Sequence, residues 1–135
     1  MGRTLEIGKV DEAGGLTILE PETWVGKPFH LAEHITPSLP FREGRWTLLL
    51  YHHDCPRCAE AMPAYERLAK RQDERRVALV EIPPFGSKQT ADGTATYARL
   101  APEREWFVQT PVEVRIENGV VVASSLELPS TKEVH

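Results

Sequence analysis

Residues 45–70 read RWTLLLYHHDCPRCAEAMPAYERLAK, an apolar run followed by two cysteines and a helical pattern. The run from Trp46 to Tyr51 is continuous, which is typical of a strand buried on both faces of a sheet. Asp54-Cys55-Pro56 marks the turn into a helix, because proline is favoured at the first helical position. The stretch therefore predicts a central strand that leads directly into a helix with the cysteines at its start.

The helical pattern after the strand has one apolar face. At helical spacing this face carries Cys58, Met62, Tyr65 and then Leu68 or Ala69, while charged side chains fall elsewhere. We expect the apolar face to pack on the sheet. Cys58 is therefore expected to be more shielded than the cysteine that precedes it.

Cys55 and Cys58 are the only cysteines of the chain, and their spacing suits a redox pair or half of a metal site. At the start of a helix, unpaired backbone N–H groups and the helix dipole favour the thiolate of Cys55. Cys58, one turn further on, can attack a mixed disulfide on Cys55 and release the reduced partner. Arg57 adds a cation near the thiolate, and Asp54 opposes it.

The rest of the chain predicts further strands. Residues 1 to about 20 alternate, turn at DEAGG and alternate back, which predicts a hairpin. Residues 23–35 predict a strand or an irregular edge segment, residues 76–82 a second buried strand, and residues 95–100 a weak helix. Asn118-Gly119 between two apolar runs predicts a late hairpin with a type I′ turn.

Taken in order, these elements resemble the thioredoxin-like superfamily, and their layout is similar to its bacterial, membrane-linked TlpA/ResA-type branch. The resemblance covers about residues 24 to 125. It is carried by Cys55-Pro56-Arg57-Cys58 at a helix start, the kink proline Pro63, Thr110-Pro111 before the late hairpin, the turn Glu117-Asn118-Gly119, and Gly26-Lys27-Pro28-Phe29 before the first core strand.

The resemblance implies an α/β fold of the thioredoxin type, with a central mixed β-sheet flanked by helices on both faces and an N-terminal β-hairpin addition. It divides the chain into a β extension over residues 1–23, a thioredoxin-like domain over 24–128 and a tail over 129–135. The closing C-terminal helix of the family is reduced here to PSTKEV. Extra length relative to small thioredoxins is expected within residues 84–106.

The resemblance also implies thiol–disulfide exchange with a protein or small-molecule thiol or disulfide, without a cofactor. Cys55 is then the attacking thiol and Cys58 the resolving one. The Thr110–Pro111 peptide is expected to be cis and to lie beside the pair, where Pro111 leaves the sulfurs uncovered and the backbone of Thr110 can pair with an extended substrate. The sequence leaves open whether the chain reduces or oxidises its partner. It also leaves open the identity of the electron donor or acceptor.

The sequence departs from the family's pattern at the proton acceptor. Six residues before Cys55, thioredoxins carry a buried acid that assists the resolving cysteine, and this chain has Leu49. The nearest substitutes are His52 and His53, because histidine titrates near neutrality. We expect one of the two to support resolution, with water as the alternative. The dipeptide between the cysteines is Pro56-Arg57, not Gly-Pro.

His52 and His53 also raise a metal alternative, since His-His-x-Cys-x-x-Cys offers nitrogen and sulfur donors for zinc or copper. Strand alternation points the two imidazoles to opposite faces, which favours a polar rim beside the site over a metal site. Two rivals to catalysis stay open. One is a non-catalytic binding domain of the same fold, and the other is a metal-delivery module.

Composition is that of one globular domain: 135 residues, 41% hydrophobic and 27% charged. The net charge of −4 argues against a nucleic-acid partner. No stretch approaches the roughly 18 apolar residues of a membrane span, and residues 1–15 lack the apolar core of a signal peptide. The compartment stays open, and the resemblance favours an extracytoplasmic location over the cytoplasm.

Overall fold

The computed structural model describes residues 8–11, 16–71, 75–86, 95–102 and 105–126. Its strands and its α-helix follow one another as β1 (Gly8–Asp11), β2 (Leu16–Leu19), β3 (Ile35–Thr36), β4 (Arg45–Tyr51), α1 (Pro56–Lys70), β5 (Arg75–Glu81), β6 (Thr96–Leu100), β7 (Glu105–Phe107), β8 (Val112–Glu117) and β9 (Val120–Ser125). Two short 3₁₀ turns, Pro21–Thr23 and His30–His34, precede β3.

The central sheet has six strands in the order β3-β6-β5-β4-β8-β9. β4 lies in its interior, parallel to β5 on one side and antiparallel to β8 on the other. β6 is also parallel to β5, so the sheet is mixed. The predicted central strand and second buried strand are therefore confirmed. Because the carboxyl ends of parallel strands share one edge of a sheet, the cysteines that follow β4 lie at that edge.

Alternate side chains of β4 enter two separate cores, because successive Cβ atoms point to opposite faces. Trp46, Leu48 and Leu50 are buried in the larger core. Leu49 and Tyr51 are buried in the smaller core, beneath α1. Both faces of β4 are covered, which is why its sequence is a continuous apolar run.

One face of α1 packs against the sheet, as predicted. Its buried residues are Cys58, Ala61, Tyr65 and Ala69, with Met62 and Leu68 partly buried beside them. Pro63 lies within the helix. This packing places Cys58 in the smaller core, one turn inside the helix.

The described residues contain a single α-helix, and none of them forms an α-helix on the face of the sheet opposite α1. Aromatic side chains cover this face instead: Phe29 packs edge-on against Trp24 and Phe41, and Phe41 packs edge-on against Trp46. Prolines at four positions of the covering segment, residues 21–40, prevent a regular helix there. Residues 23–35, predicted to be a strand or an irregular edge, form 3₁₀ turns and the start of the short edge strand β3.

The weak helix predicted for residues 95–100 is wrong, since residues 96–100 form strand β6. β6 pairs in parallel with β5 and antiparallel with β3. Ala98 and Leu100 are buried on alternate positions of the strand. Backbone pairing with β5 and burial in the sheet decide the conformation here, because local helix propensity is weak and tertiary context overrides it.

A second, three-stranded sheet has the order β1-β2-β7. β1 and β2 are antiparallel, which confirms the predicted N-terminal hairpin, and most of its turn, residues 12–15, lies outside the described residues. Trp106 and Phe107 belong to β7, which pairs in parallel with β2. The break at Thr110-Pro111 separates β7 from β8. The domain boundary at residue 24 stays a prediction.

The late hairpin is confirmed: β8 and β9 are antiparallel and joined at Asn118-Gly119. Asn118 has φ of 50° and Gly119 of 86°, as a type I′ turn requires. The turn is tied to the rest of the fold, because Gly44 N–H donates to the Asn118 side chain and Asn118 N–H to the Gly44 carbonyl. The predicted C-terminal remnant PSTKEV and the tail, residues 129–135, lie outside the described residues.

Candidate active site

Cys55 is the N-cap residue of α1, with extended backbone at φ −103° and ψ 113°. Its Sγ accepts a hydrogen bond from the backbone N–H of Cys58, at 3.1 Å. Pro56, at the first helical position, has no N–H of its own to satisfy. Cys55 is half-exposed. The sulfur therefore reaches solvent at the end of the helix where backbone donors and the helix dipole favour an anion.

Cys58 lies one turn further into α1 and is 1% exposed. Burial, and next its hydrogen bond with Cys55, raise the pKa of the Cys58 thiol to about 11. Hydrogen bonds from the His52 backbone and the Thr110 side chain act in the opposite direction. The two thiols thus differ in the way expected from sequence, with Cys55 accessible and Cys58 shielded and protonated.

The loop before β8 lies directly beside the pair. The Thr110–Pro111 peptide is cis. The Thr110 carbonyl oxygen lies 3.9 Å from Cys55 Sγ, and Pro111 is buried. The structure thus brings Thr110 beside Cys55 and Cys58, although it follows them by more than 50 residues in the chain.

The two neighbouring histidines have different surroundings. His52 is half-buried, and its Nδ1 lies 2.9 Å from the hydroxyl oxygen of Thr110. Burial lowers the pKa of His52, partly offset by Asp54. His53 is exposed, and its ring fills the space beside Gly86, where an added Cβ would come within 2.4 Å of Nδ1. Of the two, His52 is the one in contact with the cis-proline loop.

Pro56 and Arg57, between the cysteines, are both exposed. Arg57 lies on the solvent-facing side of the first turn of α1. Asp54, next to Cys55, is exposed as well. The rim of the site therefore carries both signs of charge within a few residues.

Two buried carboxylates near the site were missed by the sequence reasoning. Glu81 ends β5, is fully buried, and accepts hydrogen bonds from Gly86 N–H at 2.9 Å and Arg99 Nε at 3.3 Å. It is also close enough to His52 to raise its pKa in part. The signal available in the sequence is a glutamate inside an apolar run, RVALVEI.

Glu113 is the second buried carboxylate, and it lies opposite Leu49 in the register of β4 and β8. It is 2% exposed and accepts hydrogen bonds from Tyr65 Oη at 2.5 Å and Arg115 Nε at 2.7 Å. Leu49, six residues before Cys55, is fully buried in the same core as Cys58. The buried acid Glu113 lies instead on the neighbouring strand β8, where it accepts a hydrogen bond from Tyr65 of α1.

Within the described ranges, no group of three or more His, Cys, Asp or Glu side chains is arranged to hold a metal ion. His52 and His53 do not converge on the cysteines together, since the first contacts Thr110 and the second lies beside Gly86. No helix in the described part of the chain is long and apolar enough to cross a membrane.

Known structures share this fold at low sequence identity. The exposed lipoprotein thioredoxin Etrx1 of Streptococcus pneumoniae is 15% identical, with a TM-score of 0.51 over 70% of this chain and 82% of that one. A DsbF homologue from Corynebacterium diphtheriae is 12% identical, with a TM-score of 0.50 over 67% and 68% of the two chains. No protein-family model matches the chain, and no curated protein matches it. The structural similarity shows a thioredoxin-like fold.

Proposed function

On this thioredoxin-like fold, we propose that the chain is a thiol–disulfide oxidoreductase with Cys55 as the attacking thiol and Cys58 as the resolving thiol. One observation carries the proposal: a half-exposed sulfur caps α1 and accepts the N–H of a second cysteine that is buried one turn away. An accessible nucleophile and a shielded resolving thiol on one rigid helix turn are what reversible dithiol exchange requires.

The reaction proceeds in two exchanges. The Cys55 thiolate attacks one sulfur of a partner disulfide, forming a mixed disulfide and releasing the first partner thiolate. Cys58, once deprotonated, attacks Cys55 Sγ, so that a Cys55–Cys58 disulfide forms and the second partner thiolate leaves. The partner has gained two electrons and the dithiol has lost them. The same steps in reverse oxidise a partner dithiol.

The proposed partner is a protein or a small-molecule thiol or disulfide. The position of the Thr110 backbone beside Cys55 supports the proposal of an extended peptide as partner. Such a peptide would pair with this backbone as an added strand. We also propose that the protein works outside the cytoplasm, as a bacterial relative of the TlpA/ResA type. In support of this, one of its structural neighbours is an exposed lipoprotein thioredoxin.

The test is reduction of insulin disulfides by dithiothreitol, followed as turbidity, with and without a metal chelator. Catalysis by the wild type that is lost in Cys55→Ser and insensitive to the chelator supports the proposal. Cys58→Ser is the matched control, since it should retain the first exchange and accumulate a mixed disulfide on Cys55. No acceleration by the wild type would favour a non-catalytic binding domain. Metal binding that the chelator removes would favour a metal-delivery module.

A further inference from the structure

The side chains of His52 and Thr110 meet beside the cysteine pair, although one follows β4 and the other precedes β8. His52 Nδ1 and Thr110 Oγ1 are 2.9 Å apart. The Thr110 side chain also lies close enough to the Cys58 thiol to lower its pKa by hydrogen bonding. Thr110 thus connects a buried thiol on one side with an imidazole on the other.

The resolving step needs a proton acceptor at this position. Cys58 is 1% exposed, so bulk water has little access to its thiol. Leu49, which occupies the place of the acid expected in the family, offers no acceptor. Burial raises the pKa of the Cys58 thiol, so the thiol is mostly protonated at pH 7 and attack without assistance is slow.

We propose that the hydroxyl of Thr110 relays the proton of Cys58 to Nδ1 of His52 during the resolving step. The inference rests on the proposed function of the cysteine pair. Thr110 Oγ1 accepts the proton from Cys58 Sγ and passes its own hydroxyl proton to His52. The Cys58 thiolate then attacks Cys55 Sγ, the mixed disulfide breaks, and the departing partner thiolate takes a proton from the imidazolium or from water.

His52 is suited to accept and then hold this proton. The titratable groups that face it are Asp54 and His53 of its own loop and Glu81 at the end of β5. Burial keeps the imidazole neutral near pH 7, so that Nδ1 is free to act as an acceptor for the hydroxyl proton. The carboxylates of Asp54 and Glu81 stabilise the imidazolium once it forms. His53, exposed and packed beside Gly86, has no corresponding bridge to Cys58.

The two exchanges can be observed separately in one experiment with 5,5′-dithiobis(2-nitrobenzoate). Attack by Cys55 releases a first equivalent of nitrothiobenzoate and leaves a second as the mixed disulfide. Resolution by Cys58 releases the second, and stopped-flow absorbance follows both phases. We compare wild type with Thr110→Val, Thr110→Ser and His52→Gln from pH 6 to 10. His30→Gln is the matched control, because it removes an imidazole remote from the cysteines in sequence and on another element.

Thr110→Val is expected to slow the second release about 10²-fold at pH 7, the usual effect of losing a general base. Its rate should rise about tenfold per pH unit up to the pKa of Cys58, because hydroxide replaces the relay. Thr110→Ser should restore the wild-type phase. His52→Gln should resemble Thr110→Val, and the double variant should be no slower than either single variant, since both interrupt one relay.

An unchanged second release and pH profile in Thr110→Val overturns the relay. The same holds if His53→Gln, and not His52→Gln, slows that phase. If Thr110→Val does not fold, the pH profile of His52→Gln decides: loss of the inflection due to His52 supports the relay, and an unaltered profile overturns it. Absence of the first release in wild type would instead contradict the proposed function itself.

Discussion

The two cysteines lie one helical turn apart and differ in solvent exposure. Cys55 caps the helix and is half-exposed, whereas Cys58 is 1% exposed. The N–H of Cys58 points at Cys55 Sγ, so the same backbone that buries one thiol stabilises an anion on the other. The proposed division of roles between the thiols therefore follows from their positions on α1.

Alkylation should reveal this division. We expect iodoacetamide at pH 7 to modify Cys55 of the reduced protein at least about tenfold faster than Cys58, because the thiolate is the reactive form and burial opposes it at Cys58. Peptide mass spectrometry of a time course measures both rates in one sample, and a urea-unfolded sample is the control in which the rates should converge. Equal rates in the folded protein would contradict the assignment.

Leu49 lies at the position where thioredoxins carry a buried acid. It is fully buried and lies opposite the buried carboxylate of Glu113. We expect Leu49→Asp to lower the free energy of unfolding by about 3–5 kcal/mol at pH 7, since it adds an uncompensated buried charge beside a like charge. Urea unfolding measures the loss.

Leu49→Asn is the matched control for that variant, because it has nearly the same shape and no charge. The buried Asp has a pKa raised above its unfolded value, so its charge-specific cost grows as the pH rises above that value and vanishes below it. The Asp and Asn variants should therefore converge in stability near pH 4. A constant difference between them from pH 4 to 7 would show that packing, not charge, is responsible.

At the scale of elements, α1 is attached to the sheet by a polar contact as well as by its apolar face. Tyr65 Oη of α1 donates to Glu113 of β8 within the smaller core, and Arg115 pairs with the other carboxylate oxygen. The hydrogen bond between Tyr65 and Glu113 therefore attaches α1 to β8. This contact fixes the helix that carries both cysteines relative to the strand that follows Pro111.

Removing this contact should cost stability. We expect Tyr65→Phe to lower the free energy of unfolding by about 1–3 kcal/mol, because Glu113 remains buried with one donor fewer. Tyr97→Phe is the matched control: its hydroxyl bonds Glu66 in a half-buried place, and its loss should cost about 1 kcal/mol or less. Chemical denaturation of both variants measures the two values. Equal losses would mean that burial of the Tyr65–Glu113 pair adds nothing.

At the scale of the whole molecule, the titration of the site is linked to folding. Cys58 has a pKa raised by burial, from 9.0 to about 11. A raised pKa contributes stability that is complete below the unfolded value and is lost as the pH rises through the folded value. The pKa of His52 is lowered in the folded protein. Its contribution to stability is therefore present above the pKa of His52 in the unfolded chain and is lost as the pH falls below that pKa. The reduced protein is therefore expected to be most stable between these limits.

Unfolding of the reduced protein by urea should show this as a decline between pH 9 and 11, on the order of 2 kcal/mol from Cys58. Cys58→Ser is the control, because serine does not ionise in this range and other alkaline titrations, including that of Tyr65, are retained. The difference between wild type and variant should change across this window. A difference that stays constant from pH 8 to 11 would contradict a buried, protonated Cys58.

The sequence by itself determined the central strand, the helix that follows it, the pair of cysteines at the junction and the late hairpin. Each depends on local physics: a continuous apolar run, proline at the first helical turn, helical spacing, and Asn-Gly at positive φ. The proposed roles of Cys55 and Cys58 follow from their order along the helix. These features survive folding because the tertiary contacts reinforce the local preference.

Only the tertiary structure decided the rest. Residues 96–100 became a strand because β5 and β3 offer backbone partners on both sides. β7 pairs with β2, and aromatic side chains from distant segments cover the second face of the sheet. The contact of His52 with Thr110 joins residues 58 apart in the chain. Strand pairing, burial and side-chain contacts of this kind depend on which distant segments of the chain come together. A local sequence pattern does not specify those long-range contacts.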